Sequence, residues 1–452
     1  MITASPEKNK TSVSLNKAPD WIRYLYCDLS GVIRGKAAYK YANTKKKLMD
    51  GAAVSRGILA LNFADMMQSH NEFGAVGDLM LKPDNDRYIN VTYPTNTGVL
   101  LCDLEEEDGA DYDCCPRTIL KRQIEKAKSL GLYFEAVFEP EFYLYKRDHY
   151  DQIVPIDRSR AFSSQGMNEA AQFIDSFAKA LSDAGMIVEQ YNAEHGQGQH
   201  ELSVRHTDAL TSADNHLLYR EILRSQASAL GIIASLAPKP SMGSAGSGCH
   251  VHLSAWHTTS KTNAFVEKGE LSKLAKSFIA GVLNHLPAIV AFGCSSVNSF
   301  DRIQPQSASS AYTCWGLRNR EAAIRVPPPV DKDAGASTNL ELRFVDNSCN
   351  PHLILAALIA AGLEGIQENH VPPEPIDCDP SHLDPQTMNE LQIYPLPASL
   401  MDAALALEHD GFMRQVLGDK FLHLYCTLKK SEHEHFSSMS FEERVEHHLT
   451  AF

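Results

Sequence analysis

The 452-residue sequence has no long hydrophobic run, no excess of positive charge and no cysteine pair at C-x-x-C spacing. The longest apolar run, Leu353 to Leu363, is too short to cross a bilayer and reads as a buried helix. Lysine and arginine total 42 against 56 aspartates and glutamates, a formal charge of −14. That balance argues against nucleic-acid and anionic-membrane partners. The ten cysteines include the vicinal pair Cys114-Cys115, a poor disulfide framework. No secretory h-region precedes them, so reduced thiols and a cytoplasmic location are expected. Neither a G-x-x-x-x-G-K-[ST] loop nor a kinase signature occurs, so an ATP site here must be of another kind. Internal repeats and low-complexity tracts are also missing.

What is there reads as two domains. Residues 1–19 are polar and Lys/Ser-rich, a disordered tail by composition. Residues 20–112 hold short strand patterns at Trp21 to Val32, Asp78 to Pro83 and Gly98 to Asp103, a small β-rich domain. The acidic stretch Glu105 to Asp113 marks a boundary, and residues 113–452 follow as a larger domain. Pro116 opens a helix whose apolar stripe runs Ile119, Leu120, Ile124, Ala127, with Gly131 as the stop. Further helices are expected around Phe173 to Leu181, Leu274 to Leu286, Leu353 to Glu368 and across 400–450, with a strand at Met186 to Gln190.

The chemistry sits on strands. In Phe138-Glu139-Pro140-Glu141-Phe142 the two carboxylates share one face, because side chains alternate along a strand. The same division recurs three times. Glu201, Ser203 and Arg205 share a face, after the bend Glu194-His195-Gly196-Gln197-Gly198. His250, His252 and Ser254 oppose Cys249, Val251 and Leu253. Glu341 and Arg343 oppose Leu340, Leu342 and Phe344. Four strands with one apolar face and one face of Glu, His or Arg define a site rather than a core. Glu139, Glu141, Glu194, Glu201, Glu341 and His250 form a mostly oxygen donor set. It suits Mg²⁺ or Mn²⁺ better than Zn²⁺ and has room for two ions. Arg302, Arg318, Arg320 and Arg325 lie within a short span, and guanidinium groups bind phosphate and carboxylate bidentately. Metal pairs and arginines together point to phosphoryl transfer.

Taken in order, these motifs resemble the glutamine synthetase superfamily from about Trp21 to the C-terminus. They are Glu139-Pro140-Glu141, Glu194 with Gly198-Gln199-His200-Glu201, Pro238-Lys239-Pro240 and Gly246-Ser247-Gly248-Cys249-His250-Val251-His252. Asn319-Arg320, Arg325-Val326-Pro327, Glu341-Leu342-Arg343 and Asn350-Pro351 complete the series. The resemblance implies an α+β fold: a small β-grasp-like N-terminal domain and a larger catalytic domain with a curved antiparallel sheet backed by helices. It also implies a homo-oligomer, a dodecamer of two stacked hexameric rings. Glu141, Glu194 and Glu201 would hold one metal, and Glu139, His250 and Glu341 the other. Glu189, His252 and Ser254 would lie on the nucleotide, and Arg320 and Arg325 on its phosphates. Gly246, Arg302 and Arg343 would meet glutamate, with Arg302, Arg320 and Glu194 nearest the reacting atoms.

Departures from that pattern bear on the substrate. Glutamine synthetases carry a flap glutamate where this chain has Ala308, and an Asp-Gly-Ser-Ser segment where it has Leu61-Asn62-Phe63-Ala64-Asp65-Met66-Met67. Ala245 and Asn339 replace an asparagine and an arginine of the family. An ammonium site needs acidic and polar groups and a proton acceptor. Their replacement suggests a larger, partly apolar amine pocket built from Phe63, Met66, Met67 and Tyr312, with Asp65 nearby. Trp315-Gly316 followed by Asn319-Arg320 resembles the γ-glutamylamine and γ-glutamylpolyamine synthetase branch. The expectation is an ATP-dependent γ-glutamyl–amine ligase of amine or polyamine catabolism. The alternatives are a glutamine synthetase using ammonia and a catalytically inactive relative with a structural or sensing role. Tyr394 lies where some relatives are adenylylated, but reads as a plain loop tyrosine.

Overall fold

The computed structural model describes residues 19–39, 49–68, 76–91, 97–329 and 334–452. Most of the expected N-terminal tail, residues 1–18, lies outside them. Two sheets organise the chain. The first has five strands in the order Ile33–Tyr39, Trp21–Cys27, Thr97–Glu105, Asp78–Val91, Ala52–Ser55. Trp21–Cys27 pairs antiparallel with Ile33–Tyr39 and parallel with Thr97–Glu105. The strand pattern expected to Val32 stops at Cys27 because Asp28 turns the chain. Its Oδ1 accepts the N–H groups of Ser30 and Val32, both at 2.9 Å. Gly31 sits in that turn at φ +84°, and a Cβ there would stand 2.3 Å from the Ser348 carbonyl oxygen. Arg220 donates to the Gly31 carbonyl at 2.7 Å, and Asn350 to the Asp28 carbonyl at 2.9 Å. The turn thus plugs into the larger part of the chain.

The second sheet has ten strands. Its main path is Tyr312–Leu317, Ala322–Val326, Leu340–Leu342, Cys249–His257, Leu132–Arg147, Gln199–Val204, Val188–Ala193. Its pairings are antiparallel except one: Tyr312–Leu317 runs parallel to Ala322–Val326. Leu132–Arg147 is the long central strand. From Leu132 to Glu141 buried and half-buried residues alternate without a break. One face rests on helices, where Phe142 packs on Phe173 and Phe177.

The expected helices are present as Pro116–Ser129, Ser164–Asp183, Lys273–Gly293 and Pro351–Gln367, with four more between Leu400 and His448. The expected strand at Met186 to Gln190 begins two residues later, as Val188–Ala193. The helix Ala209–Ala229 was not foreseen. It is buried over most of its circumference, including Asp214, His216 and Arg220, so no single apolar stripe betrays it. Lys273–Gly293 is long and apolar enough to cross a membrane, yet 67 % of its most apolar stretch is buried inside the protein. It crosses Pro351–Gln367 at backbone contact. A Cβ on Gly281 would lie 2.1 Å from the Ala361 carbonyl oxygen, and one on Gly365 2.2 Å from that of Ser277. Leu353 to Leu363 is buried throughout, with each leucine contributing roughly 2 kcal/mol by area. All ten cysteines are free thiols and only Cys378 is exposed.

Candidate active site

Strand register assembles the site. Glu141 stands opposite Glu201, Glu139 opposite His250, His252 opposite Glu341, and Glu341 opposite Arg325. Directly opposed residues on one face sit about 5 Å apart at Cβ, so adjacent strands bring the polar residues together in one field. They line a cleft of about 1650 Å³. The six expected donors, Glu139, Glu141, Glu194, Glu201, His250 and Glu341, all line it. So do His252, Gly246, Arg302, Arg320, Arg325 and Arg343.

Each donor is held. Glu141 Oε2 accepts from the Gly248 N–H and from Gln199 Nε2, both at 2.9 Å. Glu194 follows Val188–Ala193 on a turn, with Oε1 accepting from Asn192 Nδ2 at 2.6 Å. Glu139 pairs with His252 at 2.9 Å, whose other ring nitrogen meets Asn339 Oδ1 at 2.9 Å. Glu341 takes Arg325 at 2.5 Å and the Arg343 guanidinium, and stands 3.5 Å from His250 Nδ1. Among the described residues, no three carboxylate, imidazole or thiol groups converge on a single point at ligating distance.

The electrostatics divide the cleft. Burial, then the neighbouring carboxylate Glu141, pushes the Glu194 carboxyl up to about 7. Burial, then Glu139, Glu141 and Glu194, pushes Glu201 up to about 9. Crowded carboxylates of this kind are at ease only with a cation among them. Burial works to raise Glu341, but the Arg343 guanidinium, the His252 ring and Arg325 hold it below the usual carboxylate range. Burial and Arg343 drive His250 well below the ordinary imidazole range, which keeps it neutral and able to ligate. Burial works to lower His252, but Glu139 outweighs it and raises the ring to about 9. Five carboxylates and one neutral imidazole fit hard divalent cations.

Several expected residues are placed differently. Glu189 does not line the cleft: it is exposed and ion-paired with Arg205 at 2.5 Å. Ser254 does not line it either; its hydroxyl accepts from Trp256 Nε1 at 2.9 Å. Arg302 reaches the cleft, but part of its guanidinium donates to the Phe344 and Arg343 carbonyls at 2.8 and 3.0 Å. Phe63 is turned away, stacked on Phe452 at 4.8 Å and packed on Phe436 and His448. A free phenyl ring near an apolar cluster of its own chain buries itself there. Asp65 pairs with Arg34 at 2.9 Å, and neither it nor Met66 lines the cleft of its own chain. Tyr394 is 52 % exposed on a loop.

Gln199 was missed. Its Nε2 also donates to the Gly246 carbonyl at 2.8 Å, and its Oε1 accepts from the Gly196 N–H at 2.8 Å and Tyr143 Oη at 3.2 Å. The signal was available, because residues 199 and 201 share one face of a strand. Glu321 was missed as well. It lines the cleft from the turn before Ala322–Val326, where its sequence neighbourhood is dominated by arginines.

Comparison with known proteins places this architecture. The glutamine synthetase N-terminal domain model matches residues 12–112, and the glutamine synthetase catalytic domain model residues 113–447. The chain belongs to the glutamine synthetase family, and with it to the ATP-dependent ligases. It is 31 % identical to the glutamine synthetase of Pyrococcus abyssi over 93 % of this chain and 91 % of that one. It is 33 % identical to the gamma-glutamylpolyamine synthetase GlnA3 of Streptomyces coelicolor over 76 % and 74 %. Among solved structures it resembles a novel glutamine synthase homolog, with a TM-score of 0.85, 29 % identity and full coverage of both chains. It also resembles an ADP complex of GmaS, with a TM-score of 0.82 and 26 % identity over 97 % of this chain and 99 % of that one.

Proposed function

We propose that this chain joins the γ-carboxylate of glutamate to an organic amine at the expense of ATP, through γ-glutamyl phosphate, within amine or polyamine catabolism. The observation that carries this is one cleft holding a hard-donor carboxylate field beside a bank of arginines. Glu141, Glu194 and Glu201 would hold one Mg²⁺ or Mn²⁺, and Glu139, His250 and Glu341 a second. Bound there, the ions would neutralise phosphate oxygens. Arg320 and Arg325 are assigned to the ATP phosphates, with Arg343 and Arg302 at the glutamate and transferred phosphoryl group. Such cations favour the charge that spreads over a phosphoryl group in flight. The glutamate γ-carboxylate attacks the γ-phosphate of ATP, and the amine nitrogen then displaces phosphate.

An organic rather than a bare ammonium acceptor is supported by the cleft's own lining. Phe162 and Met242 line it while 61 % and 66 % exposed, and Val445 and Leu449 add apolar surface. Large apolar groups left open in a cleft suit an amine with a carbon body. The similarity to a gamma-glutamylpolyamine synthetase and to GmaS points the same way. A ring-forming oligomer, a dodecamer, belongs to this proposal. It is supported by Trp21 and Tyr39, in tilted ring contact and exposed on the two outermost strands at one edge of the first sheet. Free, buried thiols support a reducing, cytoplasmic setting.

The test is phosphate release with ATP, Mg²⁺ and glutamate, scanned over ammonia, methylamine, isopropylamine, ethanolamine, putrescine, spermine and aniline. A strong response to an organic amine with little to ammonia is expected. A response to ammonia alone would make the chain an ordinary glutamine synthetase, and silence throughout would favour a non-catalytic role.

A further inference from the structure

Among the described residues, six carboxylates line the cleft: Glu139, Glu141, Glu194, Glu201, Glu341 and Glu321. Five belong to the donor field described above. Glu321 does not, and its two oxygens are unequally treated. The Ala308 N–H donates to Oε1 at 3.0 Å. Oε2 is buried and, among the described residues, has no hydrogen-bond partner. A buried acceptor left unmatched costs about 1–3 kcal/mol, so it calls for a donor that arrives later.

The surroundings suit a cationic donor. Burial raises the Glu321 carboxyl, and the backbone N–H of Ala308 works against that rise. Asp379 adds a second negative charge nearby, while Arg343 and the Gln306 backbone offset it. The loop above is held under strain. Gln306, Ala308 and Ser310 all have positive φ, at 61°, 53° and 65°, and none is glycine. Its pins are two. Glu321 takes the Ala308 N–H, and Arg343 donates to the Ala308 carbonyl at 2.9 Å. The same Arg343 guanidinium binds Glu341. Glu321 is therefore tied through Ala308 and Arg343 to the edge of the donor field, where an acyl phosphate would lie.

Resting on the ligase reading above, we infer that Glu321 is the carboxylate that receives the amine, its free Oε2 accepting the ammonium group and then its proton. Amines of ordinary basicity are protonated at neutral pH and cannot attack in that form. One proton of R-NH₃⁺ passes to Glu321. The nitrogen lone pair then forms the C–N bond to the γ-carbonyl carbon, and the C–O bond to phosphate breaks. The second proton leaves the nitrogen for the departing phosphate, giving a neutral amide and hydrogen phosphate. Glu321 returns its proton to solvent.

The experiment compares wild type with Glu321→Gln, which keeps an acceptor for the Ala308 N–H and so leaves the loop pinned. Each is assayed with ATP, Mg²⁺ and glutamate against two kinds of nucleophile at pH 7. Ammonium, methylamine and putrescine are protonated, whereas hydroxylamine is largely neutral. For Glu321→Gln, kcat/KM with the protonated amines should fall about 10²-fold or more, and hydroxamate formation far less. Raising the pH should narrow the gap as free amine accumulates in solution. Equal losses with both kinds, at an unchanged melting temperature, would reduce Glu321 to a loop pin and overturn the assignment. No loss with either would overturn it too, as would a wild type that makes hydroxamate but no amide. A wild type silent with all four nucleophiles would instead sink the ligase reading itself.

Discussion

Gln199 Nε2 and Glu141 Oε2 are 2.9 Å apart, and the same amide nitrogen reaches the Gly246 carbonyl at 2.8 Å. The hydrogen bond fixes one oxygen of a proposed metal ligand and leaves the other free. It also ties the central strand to the loop before Cys249–His257. Groups that orient ligating carboxylates typically tune metal affinity about 10–100-fold. Gln199→Ala should therefore weaken Mn²⁺ binding by about that factor, as read by titration of the paramagnetic ion. A change in affinity smaller than twofold would mean that the Gly248 N–H alone suffices.

A pH dependence follows from Glu194 and Glu201, whose carboxyls are pushed up to about 7 and about 9. The folded apo-protein holds these protons more tightly than the unfolded chain, whose carboxyls titrate near 4.5. Their contribution to stability is full below that value and is lost as pH rises through about 7 and then 9. With EDTA the melting temperature should fall across that window. Saturating Mg²⁺ should reverse the fall by several degrees and release protons on binding. A pH-independent difference between the two conditions would count against carboxylate ligands with raised values.

Phe63 tests whether its ring belongs to the amine pocket. Its ring lies on Phe452 and against Phe436 and His448. Truncating a packed aromatic to alanine costs roughly 3 kcal/mol when fully buried, and somewhat less for this partly buried ring. Phe63→Ala should lower the denaturation midpoint while leaving the ranking of amine substrates as it was. An altered ranking at unchanged stability would return Phe63 to the pocket.

Asp214 lies at the centre of a buried ion cluster, accepting from Arg117 at 2.9 and 3.0 Å and meeting His352 at 2.9 Å. Its removal would leave Arg117 short of a buried counter-charge. Asp214→Ala should cost about 3–5 kcal/mol in chemical denaturation. A cost below about 1 kcal/mol would indicate that Asp103 and Asp84, the other partners of Arg117, carry the pairing.

Much of this was legible because strands announce their faces. The alternation in Phe138 to Phe142 and in Cys249 to Ser254 is enough to set Glu139, Glu141, His250 and His252 on one side. Register then needs only one correct pairing to bring them together. Three kinds of feature stayed hidden. Ala209–Ala229 is buried nearly all round, so it offers no periodic contrast. Phe63 has a strong local preference for burial, but its partner Phe452 is far away in sequence. Glu321 matters through a bond to the Ala308 backbone, and no composition or spacing records which N–H a carboxylate will meet. Sequence patterning shows which way a side chain points; it is silent on what stands opposite.

The pairing of Cys249–His257 with Leu132–Arg147 carries a consequence for how the protein can change. Nine consecutive residue pairs run from Cys249↔Pro140 to His257↔Leu132. Adding or deleting one residue within either partner would swap inside for outside along its length. Phe138 and Val251 would be sent toward water while Glu139 and His250 entered the hydrophobic layer. A clone library of single-codon insertions across these strands should thus contain no folded but inactive members. Misfolding and loss of chemistry would coincide, and diversification would be confined to the loops at the cleft mouth.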